Sequence, residues 1–279
     1  MIINKRINKC FEKIYKKKRA ALVTFITAGD LDYENSLELI KKLPKAGADI
    51  IELGMPFTDP IADGEIIQKS TQRSLKGGHN QKKTLELVKS FRLVDNNTPI
   101  ILMGYYNPIY KYGVKNFIKD AYKAQVDGLI IVDLPPEHDQ EVSIPARQQG
   151  IDFIRIITPN TNANRIPYIL KNSSGYIYYI SINGVTGGSA PKIDEVEKSV
   201  KVIRKYTTLP IAVGFGIRNI QQVARLANIS DAVVVGSALL EQIEQYCYDP
   251  KKAISNVLKL TSNLSQGVRR VMQSTGQTC

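Results

Sequence analysis

The sequence has few of the residues that build disulfide frameworks or metal centres: three cysteines, two histidines and no tryptophan in 279 residues. Cys10, Cys247 and Cys279 are odd in number and far apart, which fits neither disulfide pairing nor metal-ligand spacing. Scattered free thiols of this kind are typical of a reducing compartment. His79 and His138 are isolated from each other, so we expect both on the surface. No metal site is therefore predicted.

Long hydrophobic runs are also missing. Without an apolar run of about 18 residues, no membrane-spanning helix is expected. The basic residues 1–20 lack the apolar core of a secretory signal, while Ile3, Ile7, Phe11 and Ile14 have the spacing of an amphipathic helix. Because that helix begins so early, we expect no cleaved targeting segment and a cytoplasmic or plastid-stromal protein. Frequent Lys, Asn and Ile indicate an A/T-rich genome, which favours the plastid slightly.

The chain is strongly basic, with a formal net charge of +12. Its Lys and Arg residues are spread along helical segments, with the densest group at 16–19, and no basic stripe is interleaved with aromatic residues. We attribute the positive charge mainly to Lys and Arg side chains on the solvent-exposed faces of helices. A smaller part of its role is to attract an anionic substrate. Nucleic-acid binding is not favoured.

Short apolar segments alternate with segments of helical spacing throughout the chain. Eight of them have the composition of buried parallel strands: 21–27, 49–53, 99–103, 128–132, 153–157, 176–181, 210–213 and 232–235. Eight strand–helix repeats predict an α/β fold, the (β/α)₈ TIM barrel, with an extra N-terminal helix. We expect one domain over 1–279, with the barrel at about 20–265 and a polar tail at 266–279. An open doubly wound sheet is less favoured, because no G-x-G-x-x-G follows the first strand.

Two acids flank the junction after the second strand. Glu52 lies among apolar residues, and Asp63 follows a loop rich in Gly, Pro and Asp. Burying a carboxylate is costly unless it has a partner or a chemical task. One interpretation is proton transfer by Glu52 with Asp63 as an orienting group; the other is a structural ion pair at Glu52 and a helix N-cap at Asp63. The spacing alone does not separate them.

Glycine-rich loops follow the last three predicted strands, at 184–188, 214–216 and 236–237. Backbone N–H groups in such loops form an anion site that needs no Lys or Arg. Three of them on consecutive strands predict a phosphate site at the mouth of the barrel.

Several motifs resemble those of the tryptophan synthase alpha chain family. They are ELGMPFTDPIADGEIIQ at 52–68, VTFITAGD at 23–30, MGYYNP at 103–108, LIIVDLPPEH at 129–138, SINGVTGGS at 181–189 and VGFGI at 213–217. The resemblance implies a lyase that cleaves indole-3-glycerol phosphate, by a retro-aldol reaction, to indole and glyceraldehyde 3-phosphate. It also implies an α₂β₂ complex whose beta chain, not this chain, binds pyridoxal phosphate.

The resemblance assigns roles to individual residues. Glu52 is implied as the acid–base group, Asp63 as the partner of the indole N–H and Thr186 as the loop residue that positions Asp63. The indole pocket would contain Phe25, Tyr105, Ile130, Val132, Ile156, Tyr178 and Phe215. The phosphate cradle would contain Gly187, Gly214, Gly216, Gly236 and Ser237. The beta chain would dock near Pro56, Asp59, Asn107 and Pro108.

Two other functions stay open at this point. One is a phosphosugar isomerase of the same fold with Glu52 as its only base, and the other is a non-catalytic basic binding module. No Lys ends a predicted strand, so a Schiff-base mechanism is not indicated. An indole protonated at C3 can itself take up electrons, so two carboxylates suffice for the lyase reaction. Apolar neighbours such as Ile50, Ile51 and Leu53 are expected to raise the pKa of Glu52.

Overall fold

A computed structural model describes residues 6–181, 193–214 and 216–270. Its strands are β1 (Ala21–Thr27), β2 (Ile50–Gly54), β3 (Ile100–Gly104), β4 (Gly128–Ile131), β5 (Asp152–Phe153), β6 (Arg155–Ile157), β7 (Ile177–Ile180), β8 (Ile211–Gly214) and β9 (Ala232–Val235). Its α-helices are α1 (Arg6–Lys16), α2 (Tyr33–Ala46), α3 (Glu65–Lys76), α4 (Gln81–Arg92), α5 (Tyr106–Tyr112), α6 (Val114–Lys123), α7 (Ser143–Gln148), α8 (Ile166–Leu170), α9 (Ile193–Arg204), α10 (Ile220–Ala227), α11 (Ser237–Gln245) and α12 (Pro250–Arg270). Over these ranges, no helix combines the length and apolarity needed to cross a bilayer.

The strands form one parallel sheet that closes through the chain itself. The sheet order is β5-β4-β3-β2-β1-β9-β8-β7-β6. Its two ends, β5 and β6, are halves of one strand separated only by Ile154, whose N–H donates to the carbonyl of Leu129 at 2.9 Å. The first half pairs with β4 and the second with β7. The expected eight-stranded barrel is thereby confirmed.

Side chains alternate between two apolar layers. Ile50, Ile101 and Tyr176 belong to the cluster inside the barrel, whereas Ile51 and Leu53 pack in the outer layer against the helices. Period-two alternation explains this division. Glu52 therefore shares the interior with Ile50, and the expectation that Ile51 and Leu53 surround its carboxylate is wrong.

Helix α1 closes the lower end of the barrel, where the strands begin. Ile7, Phe11 and Ile14 are buried in the interior cluster, and the Phe11 ring lies 6.1 Å from that of Tyr176. The extra N-terminal helix is thus present, and its apolar face is the floor of the barrel interior. Residues 1–5, including Ile3, lie outside the described residues.

The last helix is longer than expected. The sequence predicts a helix ending near Leu264, but α12 continues to Arg270. Leu264 and Val268 are buried, and Gly267 brings the helix backbone close to Ile220 and Val223. A Cβ at Gly267 would meet these neighbours at 3.0 Å, so this glycine permits close helix packing rather than ending the helix.

Other differences from expectation are local. The YYNP segment adds a short helix, α5, directly after β3, and α7 between β4 and β5 has only six residues with a 3₁₀ turn before it. The surface position expected for His79 is wrong. Its ring is 6 % exposed, its Nε2 lies 3.0 Å from the Thr84 hydroxyl, and burial lowers its pKa to about 4. His138 is exposed, as expected, and pairs with Glu141.

Candidate active site

A cavity of about 560 Å³ opens where the barrel strands end. Its size is in the range of small-molecule sites, and its position is the one that holds active sites in this fold. It is lined by Phe25, Ile61, Ala62, Asp63, Gly64, Ile67, Met103, Val132, Ile156, Thr158, Tyr178, Ile180, Gly214, Gly216, Ile217, Val234, Gly236 and Ser237. The fold thus brings together residues predicted for the indole pocket and for the phosphate cradle.

Glu52 does not line this cavity itself. It is fully buried in the middle of β2, opposite Phe25 of β1, which does line the cavity. The Tyr176 hydroxyl donates to its Oε1 at 2.6 Å, and its Oε2 has no hydrogen-bond partner. Burial raises the pKa of Glu52 to about 7, and the hydrogen bond from Tyr176 opposes part of that rise. Across the described residues, Glu52 has no cationic partner, which excludes a structural ion pair with any of them.

Asp63 lines the cavity from the loop between β2 and α3. It is not the N-cap of α3, since Gly64 holds that position and makes no side-chain cap. Tyr105 anchors the loop, because its hydroxyl accepts from the Ala62 N–H at 3.1 Å and hydrogen-bonds Asp63. Burial raises the pKa of Asp63 to about 6, while the bond from Tyr105 lowers it. The carboxyl therefore remains largely ionised at neutral pH.

At three positions of the upper rim, close packing or an unusual backbone angle explains why the residue is glycine. A Cβ at Gly214 would lie 2.6 Å from the Tyr178 hydroxyl, and one at Gly236 would lie 3.2 Å from the Phe25 ring. Gly216 has a φ of +56°, a conformation that side-chain-bearing residues rarely adopt. Beside them, α11 begins at Ser237, and the first N–H groups of a helix have no partner within it. Backbone and helix terminus thus face the cavity at one rim.

Some predicted residues lie elsewhere. Ile130 is fully buried inside the barrel and does not line the cavity. Tyr105 lines a smaller adjoining cavity of about 20 Å³ together with Asp63. Thr186, Gly187 and Phe215 are outside the described residues.

Sequence reasoning missed other residues of the site. Tyr176 donates a hydrogen bond to Glu52, but in the sequence it is indistinguishable from other aromatic residues of an apolar strand. Met103, Ile180 and Val234 line the cavity from strand ends. Their inward orientation at those ends would have identified them, had the register been known. Among the described residues, no group of three or more His, Cys, Asp or Glu side chains is arranged to hold a metal ion.

The four predicted docking residues lie together on the surface. Pro56, Asp59, Asn107 and Pro108 line one open groove of about 600 Å³. Phe57, in the same groove, contacts the Tyr105 ring with 5.6 Å between centroids. The groove is therefore connected to Asp63 through two aromatic rings.

Comparison with known families gives one match over most of the chain. The model described as tryptophan synthase alpha chain matches residues 11–269. This range includes every described residue that lines the cavity.

Solved structures give the same result. Tryptophan synthase subunit alpha from Legionella pneumophila str. Paris is 38% identical, with 94% of this chain and 98% of that chain covered and a TM-score of 0.87. A protein from Aquifex aeolicus VF5 is 32% identical, with coverages of 95% and 99% and a TM-score of 0.86. Tryptophan synthase from M. tuberculosis, in an open form with BRD0059 bound, is 29% identical, with coverages of 95% and 98% and a TM-score of 0.85. The likeness spans both ends of the barrel.

Proposed function

The chain belongs to the tryptophan synthase alpha chain family, and on that premise we propose that Glu52 and Asp63 are the two carboxylates that carry its reaction. The activity is that of the family, the lyase cleavage of indole-3-glycerol phosphate to indole and glyceraldehyde 3-phosphate in tryptophan biosynthesis. The family match does not favour the isomerase alternative. Pyridoxal phosphate belongs to the beta chain in this family.

In the proposed mechanism, Glu52 protonates indole C3 and removes the proton of the glycerol hydroxyl next to the scissile bond. The C–C bond breaks as that hydroxyl carbon becomes the aldehyde, and the bonding electrons return to the indole. Asp63 remains ionised and accepts the indole N–H, which stabilises the positive charge of the C3-protonated ring. The glycines at 187, 214, 216 and 236, with Ser237, hold the phosphate through backbone N–H groups.

The observation that carries this proposal is the environment of Glu52. A fully buried carboxyl that has no cationic partner among the described residues, and whose pKa is raised to about 7, is costly for folding and suited to giving and taking a proton near neutrality. The apolar cavity lined by its strand neighbour Phe25 has the size for an indole ring, and Gly214, Gly236 and Ser237 line the same cavity. Phe25, Tyr178, Val132 and Ile156 supply apolar walls.

The direct test is release of indole by Glu52→Gln. Gln keeps the shape and can still accept from Tyr176 but cannot transfer the proton, so kcat should fall by about 10²-fold or more. Glu12→Gln, at an exposed position of α1, is the matched control and should leave kcat unchanged. Unchanged turnover in a folded Glu52→Gln protein would remove Glu52 from the mechanism.

Asp63 is tested by Asp63→Asn. The amide keeps the hydrogen bond to Tyr105 but carries no charge to stabilise the developing cation, so turnover should fall severely. Binding of glycerol 3-phosphate should persist, because the phosphate rim is unaltered. If both turnover and phosphate binding disappeared, Asp63 would instead be needed to hold the loop.

We also propose that the groove at Pro56, Asp59, Asn107 and Pro108 docks a beta chain in an α₂β₂ complex. Asp59 is exposed there, and the Phe57–Tyr105 contact offers a path from the groove to Asp63. Light scattering with a pyridoxal-phosphate-dependent beta chain should give the mass of a heterotetramer. Asp59→Lys should weaken assembly, whereas Glu197→Lys on α9 should not. Equal assembly by both variants would exclude the groove.

The domain and compartment expectations remain proposals. The nine strands in one closed sheet support a single domain, and limited proteolysis should leave one core fragment. The free thiols of Cys10 and Cys247 fit a reducing compartment, which we propose to be a bacterial cytosol or a plastid stroma. Fractionation of the source cells with an antibody to the chain decides between the two.

A further inference from the structure

A second cavity, of about 460 Å³, lies at the other end of the barrel. Residues one or two positions before strands line it: Arg19 before β1, Asp49 before β2 and Pro99 before β3. The candidate active site is lined instead by residues at the opposite strand ends. We call this second cavity the basal pocket, and its cationic lining residues are Arg6, Lys9, Lys13, Lys17, Arg19 and Arg269.

The basal pocket has one carboxylate in its lining, and that carboxylate is already occupied. Arg19 binds both oxygens of Asp49 at 2.7 Å each, and the Leu22 N–H donates to the same carboxylate at 2.9 Å. Arg6 contacts Asp127 at 3.1 Å behind the pocket wall. Two of the six cations, Arg19 and Arg6, are therefore neutralised by aspartates, and these two ion pairs stabilise the lower end of the barrel.

The other four cations have no such explanation. Lys9, Lys13, Lys17 and Arg269 are exposed, and none of them forms an ion pair with any residue that the structure describes. The lysines are four residues apart, which puts them on one face of α1 and its last turn. Like charges at this spacing repel each other. The helix dipole favours Lys13 and Lys17 at the end of α1, but it does not remove their mutual repulsion, which an anion in the pocket would relieve.

The shape of the pocket restricts the anion. Its volume matches a small molecule, and its walls on several sides come from α1, the loop 96–99 and the end of α12. A nucleic acid would need an extended track of cations and aromatic rings for stacking, and the described residues of the lining include no aromatic one. Four unpaired cations around one concave space match a compound with more than one phosphate group.

We propose that the basal pocket binds a small, multiply charged phosphate compound of the di- or triphosphate class. The Lys9, Lys13 and Lys17 ammonium groups and the Arg269 guanidinium contact the phosphate oxygens, and the Asp49–Arg19 pair forms the floor. The site is independent of the candidate active site, since the two cavities share no lining residue.

The test is calorimetric titration of the full chain with tripolyphosphate at about 50 and 200 mM salt. Lys9→Gln/Lys13→Gln/Lys17→Gln should weaken binding by about tenfold or more and reduce the salt dependence. Lys115→Gln/Lys119→Gln/Lys123→Gln is the matched control, because it removes the same charge at the same spacing from exposed positions of α6. The control should bind like the unaltered chain.

Further measurements separate this site from the active site. The basal variant should keep kcat and KM for indole release within about twofold, whereas Glu52→Gln should keep tripolyphosphate binding. Equal loss in both triple variants would show a general charge effect and overturn the proposal. So would absence of binding at about 1 mM tripolyphosphate, or tighter binding of a single-stranded oligonucleotide that is lost in the same basal variant.

Discussion

The raised pKa of Glu52 connects its proposed role in proton transfer to the stability of the folded chain. The folded protein raises this pKa from 4.5 to about 7, so the folded state holds the proton more tightly than the unfolded state does. The resulting stabilisation is complete below pH 4.5 and is lost as the pH rises through about 7. A shift of this size corresponds to about 3 kcal/mol.

Glu52→Gln should therefore be more stable than the unaltered chain in alkaline solution. The amide cannot ionise, so the gain should be nearly absent at about pH 4 and approach about 3 kcal/mol at about pH 8.5. Urea unfolding at the two pH values measures it, with Glu12→Gln as the control. A gain that is equal at both pH values would contradict a raised pKa at Glu52.

Tyr176 positions Glu52 through the one hydrogen bond that the carboxyl receives from the part of the chain that the structure describes. Tyr176→Phe removes a hydrogen bond that favours the ionised form of Glu52, so the pKa of Glu52 should rise further. A hydrogen bond to a charged group is worth about 1.5 kcal/mol, which corresponds to a rise of about one pKa unit. The pH–rate profile of indole release should shift upward by the same amount. Tyr33→Phe, whose hydroxyl contacts Ser90 away from the cavity, is the control. A lower rate with an unmoved profile would indicate packing damage only.

At the scale of elements, α1 acts as the lower closure of the barrel. Its buried face contacts the interior cluster, and Phe11 lies directly beneath Tyr176. Without that ring the interior would hold a void next to the residue that positions Glu52.

Phe11→Ala should lower the free energy of unfolding by about 3–5 kcal/mol, the usual cost of deleting a buried ring. For a chain of this size the midpoint of thermal unfolding should fall by roughly 10 °C. Circular dichroism during heating measures this shift. Tyr15 lies on the same helix and is 48 % exposed, so Tyr15→Ala should lower the free energy of unfolding by about 1 kcal/mol or less. Similar losses for the two variants would contradict a closing role for the buried face.

On the scale of the whole molecule, the two ends of the barrel have different tasks. The upper end carries the cavity, Asp63 and the glycine rim, while the lower end carries buried ion pairs such as Arg92–Asp127 at 2.5 Å. Asp127 also accepts from the Ile100 N–H at 2.7 Å and so fixes the start of β3.

Asp127→Asn should cost about 3–5 kcal/mol of stability, because it leaves Arg92 buried without its charge partner. The kcat and KM of the folded fraction should change by less than about twofold. Denaturant unfolding and steady-state indole release measure the two effects. Asp120→Asn, at a partly exposed position of α6, is the control. A large change in kcat would show that the two ends are coupled.

The sequence by itself determined the strands of the barrel and the helix that precedes them, but not every helix between the strands. Buried parallel strands must be apolar on both faces, so all eight segments were visible, and motif resemblance named Glu52 and Asp63. Residues whose role depends on neighbours distant in the chain were not visible. His79 and Tyr176 look ordinary in sequence, yet one is buried against Thr84 and the other holds a carboxyl from 124 positions away.

Only the tertiary structure decided that, among the described residues, Glu52 has no ion pair and that Asp63 is not the N-cap of α3. Closure of the sheet placed the Tyr176 hydroxyl, not a cationic side chain, against the Glu52 carboxyl. Asp63 hydrogen-bonds Tyr105 and does not cap α3. It also gathered lysines of α1 and an arginine of α12 around one basal pocket. Burial and pairing depend on packing between distant segments, which the local pattern of a sequence does not contain.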